Sequence, residues 1–352
     1  IALSPRPPAL ALIAEAPRQA DLVAWASAHR AALSTMRLFA PPGLGSLLAE
    51  QVGLSADPLP APREPLQPVP AEPTARLVAA LDALVGKVLA AAGADAERIA
   101  GVGVGCGGPM TWPAAEVSPL NMHAWRGFPL RDRLRARFPG VPVRVHNDAV
   151  CVAIAEHWQG AGKGYGNVLG MVVSTGVGGG LVLGGRLIDG KSGNAGHVGH
   201  IVVDPDGPPC GCGGRGCLEA IARGPGLAAW AREQGWRRDD ERDPTGVDLA
   251  ADARAGHPVA MAAMRRAGRA LGIALASTAN LLDLDVVAIG GGLSQVGDLL
   301  FGPLEEAFSV HARMDFARRV RIVPARLGQT SGLIGSAALV QRPDLYWGGD
   351  DR

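Results

Sequence analysis

One histidine and three cysteines form the group of residues with the most specific chemistry in the sequence. His200 is followed by Cys210, Cys212 and Cys217, so three thiols lie within eight residues. Thiolates and imidazoles are the ligands of tetrahedral zinc, and a site whose four ligands all come from the protein is normally structural. Cysteines so closely spaced indicate a metal site rather than a disulfide framework. We therefore predict that these four residues bind a structural zinc ion.

An Asn-Asp pair follows a stretch that is typical of a strand. The stretch is VRVH at residues 143–146, and Asn147 and Asp148 come directly after it. A carboxylate at the end of a strand can accept the proton of an attacking hydroxyl, as the phosphorylation of an alcohol requires. On its own, Asn-Asp is more often a turn or a helix cap. The interpretation of Asp148 as a general base therefore depends on a phosphate site nearby.

A glycine-rich loop provides a candidate phosphate site. Residues 174–180 read STGVGGG and lie between two apolar stretches. Glycines allow backbone N–H groups to approach phosphate oxygens, and the Ser and Thr hydroxyls add donors. A tight hairpin needs only one or two glycines, so the loop favours ligand binding. A second run, residues 290–292, is Gly-Gly-Gly after the strand-like VVAI; it is consistent with contact to a nucleoside or with a crowded turn.

Strands and helices that could position these loops alternate along the chain. Apolar periodicity predicts an amphipathic helix at 77–89, followed by a glycine-laced strand at 101–109. The later predicted elements are a helix near 129–137, a strand at 143–146, two strands within 168–185, a helix at about 258–282, the strand VVAIG at 286–290 and a further helix. This alternation, with glycine loops at strand ends, predicts an α/β architecture.

A Pro-rich tract and the overall composition limit the other features of the chain. Residues 57–73 are predicted to be an extended linker, preceded by an apolar run at 10–13 and a helix-like segment at 21–33. With 352 residues and 47% hydrophobic content, the chain can form two domains. Its 34 basic and 33 acidic residues nearly balance, so no overall field would attract nucleic acid or an anionic membrane. Without a long apolar stretch or a secretory signal pattern, we expect a cytoplasmic protein.

Four motifs together resemble the ROK family, which comprises bacterial sugar kinases and sugar-responsive repressors. They are NDA (147–149), STGVGGG (174–180), AGHVGHIVVDPDGPPCGCGGRGCLEAIA (195–222) and IGGGLS (289–294), and the similarity extends over residues 75–341. The resemblance implies a two-lobed, actin-like ATPase fold of the hexokinase and Hsp70 superfamily, ribonuclease H-like, and a homodimer or homotetramer. The implied divisions are an atypical segment at 1–74, a small lobe at 75–148, a large lobe at 149–341 and a tail at 342–352.

The resemblance also implies a role for each matched residue. Asp148 would be the general base and would bind the sugar, with MgATP as phosphate donor in the cleft between the lobes. The other sugar ligands would be Asn121, Asn147, His197, His200 and Glu219. The phosphates would be bound by Ser174, Thr175, Gly176, Gly178 and Gly179, and the nucleoside by Gly290, Gly291 and Gly292. His200 would serve both the sugar and the zinc, which couples the metal to the shape of the pocket.

The sequence departs from the family pattern at two places. His197 stands where the family usually has Glu, and an imidazole accepts a hydrogen bond only through an unprotonated nitrogen. A hexose other than glucose, an amino sugar or a cyclitol is therefore allowed as substrate. The Asp-x-Gly-Gly-Thr loop with which family kinases open does not occur in residues 1–75. Residues 9–60 instead weakly resemble the first part of methylglyoxal synthase, with Pro41-Pro42-Gly43 in place of its phosphate loop, and we infer no synthase activity.

Three functions are consistent with these residues. The first is ATP-dependent phosphorylation of a sugar hydroxyl, which we favour because a pure binding protein needs neither Asp148 nor a nucleotide loop. The second is a catalytically impaired sugar-binding protein, which the missing N-terminal loop favours. The third is a sugar-responsive transcription regulator. Residues 47–59 resemble a helix-turn-helix, but Pro58 and Pro60 stand where its recognition helix would run.

Overall fold

The chain divides into two compact units, Ile1–Gln67 and Pro68–Arg352. The structure is a computed structural model, and it describes residues 9–12, 36–40, 56–58, 75, 78–83, 85–86, 99–119, 125–238 and 245–349. The predicted helical segment at 21–33, most of the Pro-rich tract and the candidate sugar ligand Asn121 lie outside the described residues. The division between the units falls within the tract that is predicted to be a linker.

The described part of the first unit is a parallel sheet. Its strands are β1 (Ala9–Leu12), β2 (Met36–Ala40) and β3 (Ala56–Pro58). They lie in the order β1-β2-β3, and both neighbouring pairs are parallel. Most of the apolar run at 10–13 therefore belongs to a strand.

The second unit contains three sheets within its described residues. Strands β4 to β7 are Val102–Cys106, Glu116–Val117, Phe128–Pro129 and Val143–Asn147, and strands β8 to β12 are Val168–Val173, Val177–Leu183, Arg186–Leu187, Val286–Gly290 and Arg321–Pro324. The largest sheet has the order β10-β9-β8-β11-β12. Strands β8, β11 and β12 are parallel, whereas β9 is antiparallel to both its neighbours. Because β8 and β11 end at the same edge, the two glycine loops that follow them are neighbours.

The two smaller sheets lie nearer the start of this unit. Strands β4 and β7 are parallel, with Cys106 opposite Asn147, and β5 pairs antiparallel with β6. The parallel pairing places the loop after β4, which contains Gly108, beside the Asn147-Asp148 pair at the end of β7. The sheet therefore brings together segments that are distant in the sequence: the paired residues Cys106 and Asn147 are 41 positions apart.

Helices alternate with these strands, as the sequence predicts. Among the described residues they are α1 (Leu130–Arg137), α2 (Asp148–Gln159), α3 (Leu218–Ala222), α4 (Gly224–Glu233), α5 (Gly246–Arg254), α6 (Pro258–Leu282), α7 (Asp298–His311), α8 (Ser331–Gln341) and α9 (Pro343–Tyr346). Helical residues also occur at 78–83, where Val78 and Leu81 pack against the core of β4 and β7. The amphipathic pattern predicted there is confirmed. None of the described helices combines the length and apolar character needed to cross a bilayer.

The central core is built around α6, which matches the helix predicted at 258–282. Pro258 occupies its first turn, and Asp283 ends it in the left-handed conformation, with φ of 48°. Gly268 faces α7: an ideal Cβ built there would lie 2.6 Å from the carbonyl oxygen of Leu300. Glycine thus allows the two helices to approach closely. Their buried residues join those of β8 and β11 in one apolar cluster, which holds the strands that carry the glycine loops.

Helix α8 packs against elements that are far away in the sequence. A Cβ on Gly335 would overlap the carbonyl oxygen of Cys151 in α2, and a Cβ on Gly103 in β4 would overlap that of Ser336. Arg144 in β7 also donates to the carbonyl oxygen of Leu339, at 2.7 Å. This packing joins the segments on either side of the lobe boundary predicted after residue 148.

Candidate functional site

The His200 and cysteine side chains converge on one point. A ring nitrogen of His200 and the Sγ atoms of Cys210, Cys212 and Cys217 all lie within 4.8 Å of one another. Cys210 Sγ is 3.7 Å from His200 Nδ1, and Cys212 Sγ is 3.8 Å from Cys217 Sγ. Two sulfurs bound to one tetrahedral zinc, each at about 2.3 Å, would be about 3.8 Å apart. The donor types and their spacing therefore fit a structural zinc ion.

Short local elements hold these four ligands. His200 ends a 3₁₀ helix, Val198–His200, and Cys217 is the N-cap residue of α3. The N–H of Leu218 donates to the carbonyl oxygen of Ile201 at 2.9 Å, which closes the loop between them. Burial, and next hydrogen bonding to the neighbouring thiols, raises the pKa of Cys217 to about 12. Without a metal this thiol is protonated at neutral pH, so metal binding must displace a proton.

Asn147 and Asp148 begin helix α2. The side-chain oxygen of Asn147 accepts the N–H groups of Ala149 at 2.9 Å and Val150 at 3.4 Å, so this residue is the N-cap. Capping uses the Asn147 oxygen and leaves its amide nitrogen, a donor, for a ligand. Asp148 is exposed, and its Oδ1 accepts the N–H of Ala149 at 2.8 Å. Its other oxygen has no hydrogen-bond partner among the described residues, so the pair can act as both cap and ligand site.

The first glycine loop lies against the start of α2. An ideal Cβ on Gly178 would lie 2.8 Å from Cβ of Ala149, the residue after Asp148. Glycine in β9 therefore allows this strand to contact the helix directly. The N–H of Ser174 donates to the carbonyl oxygen of Gly176 at 2.9 Å and closes the turn between β8 and β9. The candidate phosphate loop is thus next to Asp148, as the general-base interpretation requires.

The second glycine run lies beside the first. Gly291 has φ of 94°, and a Cβ there would overlap the carbonyl oxygen of Val173 at the end of β8. An ideal Cβ on Gly292 would lie 3.7 Å from Oγ of Ser174. The chain continues as a 3₁₀ helix, Gly292–Val296, before α7 begins, so the predicted helix does not follow the glycines directly. The two loops form one backbone surface at the ends of β8 and β11.

Glu219 connects the segment that carries the candidate metal ligands with the first glycine loop. It lies in the first turn of α3, two residues after Cys217. Its Oε2 accepts the N–H of Val177 at 2.9 Å, and an ideal Cβ on Gly176 would lie 2.9 Å from the same oxygen. Glu219 is predicted to bind the sugar. The structure places its Oε2 on the first glycine loop, and its Oε1 has no hydrogen-bond partner among the described residues.

His197 faces the loop after β4. Its Nδ1 is 2.8 Å from the carbonyl oxygen of Asn194. Because a carbonyl only accepts, Nδ1 carries the proton and Nε2 of the neutral ring is an acceptor. An ideal Cβ on Gly108 would lie 3.7 Å from that Nε2 and 3.1 Å from Nδ2 of Asn147. His197 and Asn147 therefore present an acceptor and a donor to one backbone position, and the His200 ring lies 6.2 Å from that of His197.

The structure also contains two polar connections that the sequence patterns do not indicate. Asn194 bonds both backbone groups of Met110: it donates to the carbonyl oxygen at 2.9 Å and accepts the N–H at 3.2 Å. This pair fixes the His197 segment to the loop after β4. The two residues are 84 positions apart, so no local pattern connects them.

The second connection is made by His146, which is fully buried. Its Nδ1 accepts the N–H of Asn147 at 2.8 Å, so Nε2 carries the proton and donates to Oδ1 of Asp189 at 3.0 Å. The ring of Trp112 lies 5.2 Å away. With both nitrogens engaged, His146 fixes the backbone immediately before Asp148. A histidine within a strand pattern is visible in the sequence, but its partner is not.

Two further cysteines are close to the site without being candidate nucleophiles. Burial, and next the negative charge of Asp148, raises the pKa of Cys106 to about 12. Burial likewise raises the pKa of Cys151, in α2, to about 12. Both thiols are therefore protonated at neutral pH, and thiolate is the reactive form.

In this structure two glycine loops follow neighbouring strands, and a carboxylate lies beside them. The fold is that of the actin-like ATPases. The chain belongs to the ROK family, whose family model matches residues 64–343. The resemblance carried by the four sequence motifs is thus confirmed. The individual site residues remain predictions, although the described ones lie close together.

Similar proteins include sugar kinases with two different substrates. A glucokinase of Halalkalibacterium halodurans is 36% identical over 254 residues, 69% of this chain and 77% of the relative. An N-acetylmannosamine kinase of Yersinia pestis is 36% identical over 245 residues, 69% of this chain and 78% of the relative. Among solved structures, a ROK family glucokinase of Streptomyces griseus in complex with glucose and AMPPNP has a TM-score of 0.67 and 32% identity, covering 79% of this chain and 90% of that one.

Proposed function

We propose that this chain is an ATP-dependent sugar kinase in which Asp148 is the general base. The proposal rests on the position of Asp148 beside the first glycine loop, where Gly178 contacts the residue after Asp148. The relatives that are glucokinase and N-acetylmannosamine kinase support a sugar as acceptor. The complex of the Streptomyces griseus protein with glucose and AMPPNP supports ATP as donor.

In the proposed reaction, Asp148 takes the proton of a sugar hydroxyl while the hydroxyl oxygen attacks the γ-phosphorus of ATP. The new bond joins the sugar oxygen to phosphorus, and the bond from phosphorus to the ADP oxygen breaks. The backbone of Gly176, Gly178 and Gly179 and the hydroxyls of Ser174 and Thr175 bind the phosphates, while Gly290–Gly292 contact the nucleoside. Magnesium bound with ATP would neutralise the charge on the phosphate oxygens.

The sugar is bound by groups of complementary hydrogen-bonding type. Asn147 donates through Nδ2, because its oxygen caps α2. His197 accepts through Nε2, because its Nδ1 is engaged with a carbonyl. Glu219 accepts through Oε1, His200 donates through the nitrogen that is not on the metal, and Asn121 is proposed as a further ligand. These groups suit a hexose, an amino sugar or a cyclitol, phosphorylated at the exocyclic C6 hydroxyl where there is one.

A structural zinc ion fits this arrangement. His200, Cys210, Cys212 and Cys217 would hold it, and the metal would fix the start of α3. Glu219 lies in the first turn of that helix, so the metal ligands would also fix its carboxylate against the phosphate loop. The ligands thus stabilise the geometry of the site rather than taking part in proton transfer.

A sugar-binding protein without turnover is the second candidate. The observation that favours it is the lack of an Asp-x-Gly-Gly-Thr sequence in residues 1–75. Loss of phosphate and magnesium contacts can remove several kcal/mol of transition-state stabilisation. The two candidates differ in turnover and agree in sugar binding.

An ADP-release screen of the full chain, loaded with zinc, distinguishes the candidates. The panel is glucose, mannose, N-acetylglucosamine, N-acetylmannosamine and myo-inositol, with ATP and magnesium. ADP release that depends on one of these acceptors supports the kinase. Calorimetric binding of a sugar without ADP release supports the sugar-binding protein. No sugar-dependent turnover together with a specific DNA gel shift would indicate the regulator instead.

A further inference from the structure

A cavity lies at the C-terminal end of α2, the end that is distant from Asp148. Its volume is about 360 Å³, and its polar lining comes from Gln159, Lys163, Tyr165, Arg321 and Arg326. Asp148 and Gln159 are the first and last residues of α2. At 1.5 Å per residue, they lie about 17 Å apart along the helix axis. The cavity is therefore separate from the candidate active site.

The cavity concentrates positive charge. Lys163, Arg321 and Arg326 line it, and its lining includes no carboxylate among the residues that the structure describes. Within the described ranges, none of these three side chains forms an ion pair. Three cations that share a small cavity repel one another, so an anion placed among them would be stabilised.

Acidic residues close to the cavity are already engaged with the backbone. Glu156 is fully buried, and its carboxylate accepts the N–H groups of Ala161, Arg326 and Leu327 at 2.8 to 3.0 Å. Oδ2 of Asp285 accepts the N–H groups of residues 166 and 167 at 3.1 and 2.8 Å. Glu156 therefore holds together the two loops that form the cavity and fixes the backbone of Arg326.

Arg321 is positioned by an aromatic neighbour. Its Nη1 donates to the hydroxyl of Tyr165, and its guanidinium carbon lies 6.0 Å from the centre of that ring. A guanidinium has five N–H donors, so one such bond leaves donors for a ligand. Planar guanidinium groups bind phosphate through paired N–H donors, and a lysine adds a point charge.

We propose that this cavity binds a small phosphorylated metabolite, with its phosphate between Arg321, Arg326 and Lys163. The volume is at the lower end of the range of about 300–1,000 Å³ that is usual for small-molecule sites, which suits a phosphate monoester of the size of a sugar phosphate. Tyr165 and Gln159 provide hydroxyl and amide groups for its uncharged part. The proposal concerns binding alone and does not depend on the proposed kinase activity.

Isothermal titration calorimetry on the full, zinc-loaded chain tests the site. The probes are glucose 6-phosphate, inorganic phosphate and tripolyphosphate, each titrated with and without glucose and AMPPNP. Binding in the cavity should be the same in both conditions, whereas binding in the cleft would be lost when these ligands occupy it. We expect glucose 6-phosphate to bind, and the double variant Arg321→Gln/Arg326→Gln to raise its Kd at least tenfold. Raising the ionic strength should weaken binding to the unmodified chain, because the attraction is screened.

A matched control separates this site from the general surface charge. Arg313→Gln removes an exposed arginine outside the cavity lining and should leave the Kd unchanged. Lys163→Gln, at another exposed lining residue, should raise the Kd about threefold or more, which keeps the test decisive if the double variant folds poorly. Equal affinity in the cavity variants and the unmodified chain would overturn the proposal. If inorganic phosphate or tripolyphosphate binds more tightly than glucose 6-phosphate, and the same variants abolish that binding, the ligand is an inorganic anion and the sugar-phosphate proposal is wrong.

Discussion

The two walls of the candidate active site are held by different kinds of interaction. On one wall, Asp148 begins α2, whose buried residues Cys151 and Ile154 join an apolar cluster with β8, β9 and α8. On the other wall, strand pairing between His200 and Cys217 is limited in the described structure to isolated bridges, such as Val202 with Cys217. Ile201 and Val203 are the side chains of this segment that pack on the central core. Val202 is also 54% exposed. Apolar packing thus positions Asp148, whereas we expect residues 204–216 of the second wall to depend on the four candidate metal ligands.

Of the changes considered, removal of the metal should have the largest effect, and it should disturb the second wall while leaving the first wall intact. We expect a chelator, or Cys212→Ser, to abolish zinc binding and to lower kcat/KM for the sugar by about 100-fold or more, near 3 kcal/mol. Glu219 and His200 would lose their fixed positions, while α2 and β9 would keep theirs. Elemental analysis, thermal unfolding and hydrogen exchange measure these effects, and exchange should increase in residues 201–218 but not in α2.

Cys151→Ala is the control for the metal prediction. It removes a buried thiol of the first wall, so it should lower stability through lost packing without changing the zinc content. Fresh protein that contains no zinc would contradict the assigned ligands. Equal loss of protection in both walls on chelation would contradict the contrast between them.

A smaller effect is expected where the first wall contacts the first glycine loop, the candidate phosphate loop. In Gly178→Ala, the new Cβ would lie 2.8 Å from that of Ala149, and relief of this overlap should cost about 1–3 kcal/mol. Because the contact is next to Asp148, we expect kcat to fall together with the free energy of unfolding. Denaturant unfolding and ADP release measure both. Gly302→Ala, a helical position where a Cβ meets nothing within 4 Å, should be neutral or stabilising.

The smallest effect is expected at the hydrogen bond that fixes the backbone before Asp148. Asp189→Asn keeps an acceptor for His146 but replaces a charged group by a neutral one, which should cost about 1 kcal/mol. We expect a several-fold fall in kcat with little change in KM, since no proposed sugar ligand is itself replaced. The exposed Asp344→Asn should change neither constant. A rise in KM at constant kcat would show that Asp189 acts on sugar binding instead.

The sequence predicts well those features that local patterns determine. Helix α6 and the strands β8 and β9 appear where their periodicity and glycine content indicate, because burial of a stripe or of both faces leaves a readable pattern. The four candidate zinc ligands are close in sequence, and their residue types limit the chemistry they can do. The ROK motifs led to the correct family for the same reason: they are compact and contain unusual residue types.

Contacts between distant segments could not be predicted from the same patterns. The bonds from Asn194 to Met110 span 84 positions, and the close approach of α8 to β4 depends on Gly103 meeting Ser336. Glu219 is a further case, because its bond to Val177 depends on where α3 lies relative to β9. Such pairings follow from the packing of whole elements, which the spacing of single residues does not determine.

The most direct test of the central claim compares Asp148→Asn with the unmodified chain in ADP release and in sugar binding. Asn keeps the size of the side chain and cannot accept the hydroxyl proton as a base, so kcat should fall by about 10²- to 10⁴-fold. The calorimetric Kd for the sugar should stay within about threefold, with α2 still capped by Asn147. An unchanged rate of ADP release in Asp148→Asn would contradict the assignment of this carboxylate as the general base.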